Sequence, residues 1–147
     1  MKIDTKYHGE IHIEEKDIIT FANGIPGFLE EKKFIFLPFG EDTGISIMQS
    51  VSNAGLAFVV TNPFLFLKEY DFTIDDQVVE QLQLESEKDV TVYVILTVQD
   101  PFEKTTANMQ APVIINTKKQ LAKQVILTNT SYQTKHSIFE KGKVSAK

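Results

Sequence analysis

The chain has 147 residues, 42% hydrophobic and 24% charged, a composition ordinary for one soluble globular domain and unlike that of a disordered or fibrous chain. A domain of this length buries roughly 68–70% of its unfolded surface, so a single core suffices. Cysteine is absent, which excludes disulfides and thiolate zinc sites. All 15 basic residues are lysine within a net charge of −5, so the chain lacks the planar fork that grips phosphate, and its acidic majority repels a polyanion.

Residues 2–7 and 10–14 alternate around Ile3, Ile11 and Ile13 and are separated by His8-Gly9, the pattern of a tight hairpin. No apolar segment follows the N-terminal lysine and no run reaches ~18 apolar residues, so neither a signal peptide nor a membrane span is expected, and the cytoplasm is the default. Residues 17–21 read as a further strand, punctuated by Asn23-Gly24-Ile25-Pro26-Gly27-Phe28. The glycine spacing there is that of a turn. A phosphate loop needs a Gly-Lys-Ser/Thr ending that opens a helix, and GIPGF has neither. KFIFLPF at 33–39 is a nearly continuous apolar run, as in a strand covered on both faces. Residues 45–50 alternate at strand period, and 56–60 form a core strand that stops at Thr61-Asn62-Pro63-Phe64.

The spacing predicts one helix, over 75–84: Ile74, Val78, Val79 and Leu82 share a face, and Asp75 or Asp76 can accept from the first-turn N–H groups. Residues 90–99, VTVYVILTVQ, place β-branched side chains on both faces and end at Asp100-Pro101. Residues 106–127, TANMQAPVIINTKKQLAKQVIL, read as two apolar runs joined by a lysine-rich connection. Pro112 marks a strand start, edge or bulge; Val113-Ile114-Ile115 is a stiff β-branched block; 116–120 carries turn chemistry; and Val125-Ile126-Leu127 is the second run. With 105–115, 124–130 and 132–138 the count reaches roughly nine to eleven strands. The expected fold is mostly β: a single-domain antiparallel β-barrel-like fold with one short helix over 1–139, followed by a flexible C-terminal tail at 140–147.

Candidates for chemistry are few. His8 and His12 are four apart, which would make a metal pair on a helix, but Gly9 and the alternating isoleucines put them in a hairpin. Asp71, Asp75 and Asp76 offer paired carboxylates, two of which helix capping explains. No serine has a Gly-x-Ser-x-Gly setting. No catalytic residue, metal or cofactor is expected. Charge is divided along the chain: residues 1–103 hold 19 acids against 7 lysines, net −12, whereas 104–147 hold one acid against 8 lysines, net +7. An acidic surface is a docking face for a basic protein, and the lysine-rich third can neutralise acidic elements near it in the fold.

Three stretches, ITFANGIPGF at 19–28, TNPFLFLKEYDF at 61–72 and NMQAPVIINTKKQLAKQVIL at 108–127, resemble the flagellar assembly factor FliW family, a likeness extending over residues 2–138. The resemblance implies a compact, mostly antiparallel β-barrel-like protein that is a switch rather than an enzyme. By that likeness the chain binds flagellin and, when free, binds the translational repressor CsrA, a small dimeric RNA-binding protein. It would antagonise CsrA's RNA binding and relieve repression of flagellin translation. The implied partners are flagellin and CsrA, with no direct nucleic acid, no membrane and no cofactor, the protein being monomeric when free. The competing reading is a β-barrel that binds a small ligand. One departure stands out: where the family often has a glycine before QVIL, this chain has Leu121-Ala122.

The expected partner-binding positions are Asn62, Phe64, Tyr70, Asp71 and Asp75 around the Asn-Pro turn, and Asn108, Met109 and Gln110 before Pro112. They combine turn or edge placement with aromatic anchors and an adaptable methionine.

Overall fold

The alternating runs close on themselves. In the computed structural model, which describes residues 1–40, 44–128 and 130–138, seven strands make a continuous ring. They are β3 (Ile19–Phe21), β4 (Lys33–Pro38), β5 (Ile45–Ser50), β6 (Ala57–Thr61), β7 (Val90–Thr97), β9 (Val113–Asn116) and β10 (Leu121–Gln124). They follow one another in the order β3-β4-β5-β6-β7-β9-β10, and β10 returns to β3. That last junction is the parallel one, Leu121 opposite Thr20 and Ala122 opposite Phe21. Closure removes most of the exposed sheet edge that would invite aggregation. Two short strands, β8 (Thr106–Ala107) and β11 (His136–Ser137), extend the wall beyond the end of β7, and β1 (Lys2–Asp4) and β2 (Glu10–His12) form the expected hairpin, with Gly9 at φ 67° in its turn.

Period-two alternation decides which side chains meet inside. Phe34, Met48, Val60, Val113 and Ile115 join Phe21 and Ala122 in one buried cluster, with Phe36, Phe58, Tyr93 and Ile95 packed against it. The rings of Phe21 and Phe34 meet edge to face at 5.3 Å, and those of Phe36 and Tyr93 stack at 5.0 Å. Side chains of opposite parity point outward and are covered separately. Ile35 lies under Ile3 and Ile13 of the hairpin. Ile114 lies under Val78 and Leu82 of the helix α1 (Asp76–Gln81). Val94 and Leu96 lie under the segment around Tyr70. Covering both faces is why KFIFLPF and VTVYVILT are apolar at nearly every position.

Several boundaries differ from the sequence-based reading. The helix is six residues long rather than ten, and the Asp75 side chain makes no capping hydrogen bond. Its C-terminal end is fixed by Gln83 in the left-handed region (φ 54°) and by buried Asn116, whose Nδ2 donates to the carbonyls of Leu82 (2.7 Å) and Gln83 (3.1 Å). Residues 15–17 are a 3₁₀ turn, the Glu14 N–H donating to Asp17 Oδ2, so the third strand starts only at Ile19. The expected strand over 105–115 is interrupted: Asn108 Oδ1 accepts from the N–H groups of Gln110 and Ala111, folding the chain into a turn between β8 and β9. The second run of the pair is Leu121–Gln124 rather than 124–130. The ladder bends on past it through Val125 N–H to the Pro112 carbonyl and Leu127 N–H to the Gln110 carbonyl. Of 132–138 only His136–Ser137 is a strand. The tail at 140–147 lies outside the described residues.

Candidate protein-binding site

The TNPFLFLKEYDF stretch leaves the barrel at the end of β6 and folds against the outer face of β7. Asn62 starts it, its Oδ1 accepting from Phe64 N–H at 2.8 Å, and Pro63 opens a 3₁₀ turn over Pro63–Leu65. The chain then reaches Tyr70, which is 3% exposed and donates its hydroxyl to the Met109 carbonyl at 2.6 Å. Around Tyr70 stand Tyr132 at 4.7 Å, Phe72 at 5.2 Å and Phe64 at 5.9 Å between ring centroids. The Tyr132 hydroxyl accepts from Asp71 N–H at 2.9 Å, and Met109 N–H donates to the Gln133 carbonyl. Three stretches distant in sequence are thus clasped by side-chain hydroxyls on backbone atoms. Burial, with Tyr132 alongside, pushes the Tyr70 hydroxyl far above the ordinary phenol range, so it stays a neutral donor.

Seven of the eight expected positions fall in this one flank. Phe64 is 39% exposed; Asn62 and Asp71 are exposed; Asn108 and Gln110 are half-buried. Met109 is 0% exposed and Tyr70 nearly so, and both act from within: they hold the flank's shape while Phe64, Asn62 and Asp71 face outward. Asp75 stands apart at the start of α1, joined to the flank through Phe72, which packs with both the Tyr70 and the helix clusters. Sequence reasoning left out two residues, exposed Leu65 and half-buried Tyr132. Leu65 lies within the aromatic stretch and was legible; nothing local to Tyr132 points 61 residues back to Asp71.

The lysine-rich connection faces the helix. Lys118 pairs with Glu85 at 3.9 Å, Lys123 Nζ donates to Gln81 Oε1 at 2.7 Å, and Lys119 Nζ to Gln83 Oε1 at 3.2 Å. The left-handed residue of that connection is Gln120 (φ 57°), and Leu121-Ala122 lie in the strand after it. A cavity of about 380 Å³ opens at one end of the barrel, where Thr91, Tyr93 and Thr117 face His12 and Asp17 of the hairpin region. Among the described residues no three His, Cys, Asp or Glu side chains converge as metal ligands, and no helix is long and apolar enough to cross a membrane.

Fold and flank together define a small closed β-barrel whose outer wall carries an aromatic, loop-built surface held by long-range hydrogen bonds. Comparison with known proteins gives that class a family. The FliW protein family model matches residues 2–138. The flagellar assembly factor FliW of Geobacillus kaustophilus (strain HTA426) is 59% identical over 139 residues, 95% of this chain and 96% of that protein. That of Bacillus subtilis (strain 168) is 51% identical over 138 residues, 94% and 96% of the two chains. A crystal structure of the flagellar assembly factor FliW superposes with a TM-score of 0.92 at 55% identity, covering 96% of this chain and 99% of the other. The chain belongs to the FliW family of flagellar assembly factors.

Proposed function

We propose that within flagellar assembly this chain is a cytoplasmic protein-binding switch. It binds flagellin; once flagellin is exported and the chain is free, it binds CsrA, antagonises CsrA's hold on RNA and so relieves repression of flagellin translation. The observation that supports this most is family membership over nearly the whole length, with relatives named as flagellar assembly factors. The flank fits a binding role: exposed Phe64 and Leu65 sit beside exposed Asp71 on a segment braced from beneath by Tyr70. The net −12 of residues 1–103 suits a basic RNA-binding partner.

Inhibition of CsrA could proceed by covering its RNA-binding face or by docking elsewhere and biasing its conformation. Lysines interspersed among the acids, and no run of consecutive carboxylates longer than two, make this chain a poor imitation of a nucleic-acid strand and favour the second route. A coupling of ~1–3 kcal/mol is ordinary for it and must be reciprocal. The test is a titration of this protein into CsrA at several fixed RNA concentrations. An apparent affinity that reaches a plateau as RNA rises supports the second route, one that weakens without limit means competition, and no effect on RNA binding at all contradicts the switch. Added flagellin should release CsrA from the complex.

A further inference from the structure

The ladder between β6 and β7 stops early. It pairs Thr61 with Val94 and Val60 with Ile95 and goes no further, although β6 begins at Ala57 and β7 continues to Thr97. Past Ile95 the chain turns to its other neighbour, Leu96 pairing with Ala107 and Thr97 with Thr106 of β8. Among the described residues, Ala57, Phe58 and Val59 therefore have ladder partners in β5 alone. The two strands splay, and the gap opens into a groove of about 410 Å³ that runs from Ile45 and Ile47 of β5 over Ala57, Phe58 and Val59 to Ile95, Leu96 and Val98. Tyr7, Phe39 and Phe102 rim it, each well exposed. Strand edges bordered by apolar pockets are the ordinary receptors for added strands.

We infer that the start of β6 is a docking edge for an extended segment of a partner protein, with apolar residues at alternate positions and lysine or arginine between them. Backbone pairing with β6 supplies the affinity, and the alternating apolar side chains fill the groove, because successive side chains of an added strand point to opposite faces. The intervening positions face outward, where the β7–β8 connection presents exposed Asp100 and Glu103, the last acids of the net −12 segment 1–103, next to Lys104. The groove is also continuous with the aromatic flank: Leu96 belongs to the cluster of Tyr70 and Met109, and Ile45 and Val59 pack against it. A segment seated there would adjoin the flank's outward face.

Backbone-amide NMR on the full chain tests it, with a capped synthetic peptide of alternating valine and lysine as probe. Saturable shifts at Ala57, Phe58, Val59 and Leu96, with slowed amide exchange at the start of β6, are expected. The same peptide N-methylated on its pairing edge keeps its side chains but loses its donors, and should bind roughly tenfold more weakly or worse. Val98→Lys, at a position 50% exposed that the fold tolerates, should also cost roughly tenfold. A valine–glutamate peptide should bind more weakly than the valine–lysine one. Absence of shifts at these amides, equal binding of the N-methylated peptide, or equal binding of the glutamate peptide would overturn the assignment. So would concentration-dependent shifts of the same amides without peptide, coupled to dimeric sedimentation, since a second copy would then be the occupant.

Discussion

The barrel wall and the aromatic flank are held together by different means. In the wall, Val113, Ile114 and Ile115 are fixed by ladders to β7 and β10 and by burial on both faces, so each residue has several redundant partners. In the flank, few regular ladders operate. Tyr70 on Met109 and Tyr132 on Asp71 are single hydrogen bonds, each tying a loop to a place the chain would not otherwise visit, and Asn62 on Phe64 is a single bond that sets the turn where the stretch begins. Redundant burial makes a rigid support, whereas single clasps make a surface that can be tuned or moved one bond at a time. That division suits a binding protein, with the scaffold in the wall and the recognition on the loops.

Substitutions should separate the two regions by size of effect. Phe34→Ala removes a fully buried ring in contact with Phe21 and should destabilise by about 3–5 kcal/mol in denaturant titration. Ile95→Ala, on the interior face of β7 but bordering the splayed groove, should cost about 2–5 kcal/mol; a loss below about 0.5 kcal/mol would mean that this position is not part of the core. Tyr70→Phe keeps the ring and leaves the Met109 carbonyl without its donor, an expected loss of about 1–3 kcal/mol. If it matched Phe34→Ala in size, the flank would be as structural as the wall.

The Tyr70 hydroxyl also sets a pH dependence. Its folded pKa lies above the unfolded value of 10.0, so the folded state holds the proton more tightly, and the stabilisation is complete below pH 10 and declines as pH rises past it. Denaturant midpoints followed upward from pH 9 should fall more gently in Tyr70→Phe than in the parent chain. Phe64→Ala should have the smallest effect on stability, about 1 kcal/mol or less, because the ring is 39% exposed and only partly packed on Tyr70. It should nonetheless weaken partner binding, and an unchanged affinity would move recognition away from the flank.

The same contrast explains what could be read in advance. Alternation in VTVYVILT, the β-branched block at 113–115 and the Pro26-Gly27 turn are local signals, and each appears in the structure as a strand or a turn. Gly24 is a further local signal: its φ is 70°, and a Cβ there would collide with the Leu29 carbonyl. LAKQ was not legible because its residues have weak strand preference. It is a strand because Thr20–Phe21 flank it on one side and 113–116 on the other, tertiary pairing overriding propensity. Pairing between β7 and β9 joins residues 20 to 26 apart and leaves no periodic trace. In the candidate site the aromatic stretch and the Asn108–Gln110 turn were visible as composition. The burial of Met109 was not, because the chain that covers it, with the Tyr70 hydroxyl on its carbonyl, comes from 39 residues away.

Backbone-amide shift mapping of this chain with a saturating, export-competent flagellin subunit tests most directly whether the wall is scaffold and the flank is surface. The largest perturbations are expected at Asn62, Phe64, Leu65, Asp71 and Gln110, with the interior positions Phe34, Met48 and Val113 unmoved. A flank that stays silent while flagellin binds through the hairpin or the lysine-rich connection would contradict it.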